Sequence, residues 1–69
     1  MYVIEVSNGT GTAEKQCRTK EKAVRIAALT ANADYIYISN PELNKEEKRF
    51  EVKSVRVYDT KNPDIDIDF

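Results

Sequence analysis

The spacing of apolar positions along the chain runs from two to about 3.6 and back to two, and that sequence of periods outlines the fold. Tyr2 to Val6 alternates, with Tyr2, Ile4 and Val6 on one side and Val3 and Glu5 on the other. This predicts a half-buried strand. Asn8-Gly9 follows, a strong hairpin signal, and Gly11 adds turn character. Ala13 to Arg18 returns as a more polar strand that turns only Ala13 and Cys17 inward, with Lys15 between them. Such a strand suits a sheet edge, where charge discourages pairing with another chain. A plain loop here is the competing reading, and it would permit a parallel βαβ unit.

The period then lengthens. Thr19 to Ala33 predicts the one convincing helix of the chain. Thr19 is the natural N-cap, and Glu21 suits the positive helix end. Lys22 stands where a capping box needs Glu or Gln, so the full box is missing. At about 100° per residue, Ala23, Ile26, Ala27, Thr30 and Ala31 share one face, flanked by Val24, Ala28 and Leu29. Glu21, Arg25 and Asn32 lie opposite. An inner face made mostly of alanine predicts a helix lying close to a sheet. Asn32 is expected to end it, in the left-handed conformation asparagine tolerates.

Alternation resumes at Tyr35-Ile36-Tyr37-Ile38, the most strand-like tetrad by composition. Asn40 to Lys48 is polar, and reads as a helical turn opened by Pro41 or as a long hairpin tip. Phe50 to Tyr58 predicts the last long strand. Phe50 and Val52 share one parity and Val55 and Val57 the other, so a bulge near Lys53-Ser54 is needed to put all four on one face. Asp59 to Pro63 predicts a turn. The chain closes on Asp64-Ile65-Asp66-Ile67-Asp68-Phe69, an edge strand with Ile65 and Ile67 inward or a tail that becomes a strand on a partner.

Residues 1–69 therefore predict one small α+β domain. A single helix packs on a mostly antiparallel four-stranded sheet, in chain order β-β-α-β-β, with room for a short fifth strand at the C-terminus. A domain of this size buries a modest fraction of its surface and gains from a partner or a second copy.

Charge and composition narrow the chemistry. A net charge of -1 excludes a strongly basic nucleic-acid binder and a heavily acidic protein alike. Cys17 is the sole cysteine, which favours a reducing compartment or is simply uninformative, and no histidine is present. The usual zinc sites and the usual neutral-pH base are missing, so the expectation is a non-enzyme without cofactor or metal. The opening residues show no basic leader and no long apolar run, from which a cytoplasmic protein without a membrane span is expected.

Three surfaces attract attention. If Ile36 and Ile38 face the helix, Tyr35 and Tyr37 face away, and Val3, Arg56 and Tyr58 are expected to join them on the uncovered sheet face. Tyrosine and arginine are enriched at recognition surfaces. The acidic tail places Asp64, Asp66 and Asp68 on one strand face about 6.6 to 7 Å apart. It serves sheet augmentation or, more weakly, nucleic-acid mimicry. The basic segment 15–25, with Lys15, Arg18, Lys20, Lys22 and Arg25 against Glu14 and Glu21, supplies an alternative phosphate-binding surface. The leading expectation is a protein-interaction module that regulates or inhibits a larger macromolecule by occupying its surface, with homodimerisation through the open sheet face or the last strand. The alternative is a nucleic-acid-binding accessory protein. A small chain without targeting signal or catalytic set also fits a phage-type accessory, by association only.

Overall fold

The computed structural model describes residues 1–39 and 47–69. Its elements are β1 (Tyr2–Ser7), β2 (Thr12–Cys17), α1 (Lys20–Ala31), β3 (Tyr35–Ser39), β4 (Glu47–Glu51), β5 (Ser54–Asp59) and β6 (Asn62–Asp66). The helix packs on a four-stranded antiparallel sheet of order β2-β1-β5-β6, and β3 and β4 form a second, two-stranded sheet. The expected turn at Pro41 lies outside the described residues.

The β1–β2 connection follows from its residues. Asn8 Oδ1 accepts from the amides of Thr10 and Gly11 at 2.9 and 2.7 Å, and Gly9 takes a φ of 94°, which glycine adopts without a Cβ penalty. The strand register runs from Tyr2 opposite Cys17 to Ser7 opposite Thr12.

Thr19 caps α1, its hydroxyl accepting from the Lys22 amide at 3.3 Å. At the other end Asn32 stays right-handed, with φ -87°. Its side-chain amide donates back to the Ala28 carbonyl at 3.0 Å, so it satisfies an orphan acceptor without the left-handed turn expected of it. Ala23 and Ala27 are fully buried against the sheet, while Ala31 is exposed despite its place on the predicted inner face. The core is Ile4, Val6, Cys17, Ala23, Ala27 and Val57, with Tyr2, Ile26, Ile36, Phe50, Val52, Val55 and Ile67 packed around it.

The predicted strand from Phe50 to Tyr58 is two strands. It breaks at Val52-Lys53, where the Val52 amide donates to the Asp34 carbonyl at 2.9 Å and the Lys53 amide donates to the Ser7 carbonyl at 2.8 Å. The break reverses parity, so Phe50, Val52, Val55 and Val57 all reach one core. It also detaches β3 from the main sheet, where β3 was expected, and gives that place to β6.

β6 is irregular. Asp59 pairs with Asn62 and Tyr58 with Asp66, so one step along β5 spans four along β6. The excess residues are Pro63, Asp64 and Ile65, at a proline that cannot donate to a ladder. The continuous row of Asp64, Asp66 and Asp68 is therefore not formed, and Asp68 lies beyond the strand. Ile65 is 65% exposed, against the expectation that it turns inward with Ile67.

Ala27 is fully buried in the core between helix and sheet. Ala27→Leu is expected to lower stability by about 1–3 kcal/mol through overpacking. Leu29→Ala, on the exposed side, should stay within about 0.5 kcal/mol. Urea unfolding midpoints of the two variants check both values.

Candidate interaction surfaces

Two outward faces emerge, and they divide the residues that the sequence grouped together. Tyr35 and Tyr37 stand on the outer side of the β3–β4 sheet. Arg56, Tyr58 and Val3 stand on the uncovered side of the main sheet. The split at Val52-Lys53 is the reason they do not share a face.

On the hairpin, Ile36 lies opposite Phe50 and both pack inward. The next parity therefore points out: Tyr35 opposite Glu51, and Tyr37 opposite Arg49. The tyrosine rings meet edge to face at 5.5 Å and 83°. Arg49 reaches diagonally, setting its guanidinium 4.1 Å from the Tyr35 ring centroid. Tyr35 is 38% and Tyr37 61% exposed. Beside them opens a cleft of about 500 Å³ lined by Asp34, Tyr35, Arg49, Glu51 and Val52. The Glu51–Lys53 ion pair at 3.7 Å is exposed on both sides and contributes little. Arg49 was missed in the sequence because the predicted strand starts at Phe50, three residues after β4 begins at Glu47. Placing Arg49 two positions from Glu51, on the outward parity, would have found it.

The main sheet's uncovered face is a different kind of surface. Val3 has no helix above it, yet only 4% of it is exposed. Tyr58 is its register partner on β5, and the Tyr58 hydroxyl donates to Glu14 Oε2 on β2 at 3.0 Å. The ring thus spans β1 and covers Val3. Arg56 stacks 4.5 Å from the Tyr58 ring centroid. Its Nε donates to Asp66 Oδ1 and its Nη2 to the Pro63 carbonyl. The hydrogen bond to Asp66 holds the Arg56 pKa above its ordinary value, against the effect of desolvation. The hydrogen bond to Glu14 raises the Tyr58 pKa, helped by burial and by the charges of Glu14 and Glu5, with Arg56 opposing. This face spends its polar groups on itself.

The basic residues do not converge. Lys15, Arg18, Lys20, Lys22 and Arg25 are all exposed. Along α1, Lys22 and Arg25 share a side, while Lys20 lies about 160° from Lys22. Lys20 instead borders a small cleft of about 220 Å³ with Tyr2, Asp59, Asn62, Ile65 and Ile67. Lys15 borders another of similar size, floored by Ile4, Val6, Ala13, Ile26 and Ile36. Among the described residues, no three His, Cys, Asp or Glu side chains cluster as metal ligands, and no helix is long and apolar enough to cross a membrane.

The Tyr58–Glu14 bond makes a pH prediction. A phenol whose pKa is raised on folding contributes stability below its unfolded value near about 10 and loses it as pH rises through the folded value. Carbon-13 NMR titration of the Tyr58 ring is expected to show ionisation above the ordinary range. Glu14→Ala should bring it back down.

Comparison with protein-family models, curated proteins and solved structures finds no match to this chain, so the functional reading rests on the chemistry of these surfaces.

Proposed function

We propose that the protein is a non-enzymatic interaction module whose β3–β4 hairpin binds another protein, acting as a regulator or inhibitor that occupies a larger molecule's surface. One observation carries this reading: two solvent-facing tyrosines and an arginine stacked together on one hairpin face. Tyrosine and arginine anchor interfaces because each offers a large contact area and a polar tip. The edge-to-face rings and the stacked guanidinium restrict rotamers before binding, which lowers the entropy cost of association. The uncovered face of the main sheet competes poorly, since Arg56, Tyr58, Glu14 and Asp66 already satisfy one another. The basic residues offer phosphate groups separate points of charge and no common groove.

Affinity capture from the native cell tests the reading. The wild-type chain is expected to retain a specific protein, and a Tyr35→Ser, Tyr37→Ser, Arg49→Ser triple variant with unchanged far-UV dichroism should lose at least about tenfold in affinity. Salt-sensitive retention on DNA or heparin that survives in this variant, but is lost in Lys20→Gln with Lys22→Gln, would replace the reading with nucleic-acid binding.

A further inference from the structure

The strand edges of this protein are unequally defended. Sheets discourage unwanted pairing with edge charges, prolines and bulges. Among the described residues, β2 carries Glu14 and Lys15, β4 carries Arg49 and Glu51, and β6 carries Pro63 and the three-residue excess. β3 reads Tyr-Ile-Tyr-Ile-Ser, with neither charge nor proline. Among the described residues it pairs only with β4, which leaves its other edge without a strand partner.

The backbone groups on that open edge can be assigned. The Asp34 carbonyl accepts from the Val52 amide at 2.9 Å, so position 34 points its polar groups to the β4 side. These groups alternate sides along a strand. Ile36 therefore also points toward β4, and Tyr35 and Tyr37 turn their N–H and C=O groups outward. An isolated two-stranded sheet is marginal in water, so added strands have something to stabilise.

We infer that β3 pairs antiparallel with β3 of a second copy, about a two-fold axis at Ile36, to form a four-stranded β4-β3-β3-β4 sheet. This rests on the reading of the hairpin as the binding element and names what its edge takes. The strand is self-complementary about that axis. Tyr35 lies opposite Tyr37 of the second copy, and each such pair exchanges both backbone hydrogen bonds. Ile36 meets its own counterpart as a non-hydrogen-bonded pair. A closed two-fold interface follows, as in most small homo-oligomers. Its outer face joins four tyrosines between two Arg49 side chains, so the dimer extends the proposed recognition surface and leaves it uncovered. The chain's net charge of -1 offers little repulsion between copies.

Amide exchange and sedimentation of the intact chain from about 10 μM to about 1 mM test the pairing. Mass is expected to double with concentration. The Tyr35 and Tyr37 amides should slow by at least about tenfold over that range, while the Ile36 amide is protected throughout. Tyr37→Pro removes an outward N–H that β4 does not use, and should give a monomer with the main sheet intact. Tyr37→Phe should still dimerise. A monomer at every concentration, or a dimer in which the Tyr35 and Tyr37 amides exchange freely, overturns the inference. If the proline variant does not fold, the wild-type exchange pattern decides. A monomer that still captures a protein through Tyr35 and Tyr37 sinks the inference alone, whereas a monomer that captures none sinks the proposed function with it.

Discussion

The break at Val52-Lys53 governs this molecule. Side chains alternate strictly along a strand, so a continuous segment from Phe50 to Val57 would turn two of its four apolar residues away from the core. Two backbone hydrogen bonds hold the break, Val52 to Asp34 and Lys53 to Ser7, and each belongs to a different sheet. One stretch of chain thereby closes the main sheet and starts the hairpin. The apolar residues on both sides of it meet the same small core. The helix can close over that core because Ala23 and Ala27 put almost nothing between its backbone and the sheet.

The same break decides which surfaces remain available. On the main sheet, local chemistry is consumed internally: Tyr58 roofs Val3, Glu14 accepts the phenol's hydrogen bond, and Arg56 is held by Asp66 and the Pro63 carbonyl. Glu5 lies directly opposite Glu14 on one side and Arg56 on the other. A like-charged cross-strand pair costs stability, and the arginine beside it offsets that cost. The hairpin has no such closure. Its aromatic rings touch each other and Arg49, and they still face water.

The turn and helix-start signals in the sequence hold, whereas strand partnership does not follow from it. Asn8-Gly9 specified the first turn, Thr19 specified the helix start, and the parity conflict between Val52 and Val55 called for an irregularity near Lys53-Ser54, which is a break between two sheets rather than a bulge within one strand. Each depends on residues within a few positions of one another. The partner of β3 could not be read this way, because Tyr35 to Ile38 would sit equally well in either sheet by pattern alone. The register with β4, extended by the hydrogen bond from Val52 to Asp34, decides it. The regular Asp-Ile alternation at the C-terminus misled for a related reason: Pro63 disrupts the ladder beside it, and period alone does not report register. Of the residues singled out for binding, Tyr35 and Tyr37 stand together, Arg56, Tyr58 and Asp66 form a separate closed network, and Arg49 was found only through the observed pairing.

The order of the exposed hairpin face therefore depends on how the hairpin is anchored. β3 and β4 are tied to the rest of the fold through Ile36, Phe50 and Val52 and the bond from the Lys53 amide to the Ser7 carbonyl, and among the described residues no third strand pairs beside them. Any molecule that adds backbone hydrogen bonds along β3, or packs on Tyr35 and Tyr37, stabilises the folded hairpin by mass action. The converse also holds. Substitutions at the half-buried Ile36 or Phe50 weaken the platform on which Tyr35, Tyr37 and Arg49 are displayed. The tyrosine face is only as ordered as the three apolar side chains beneath it.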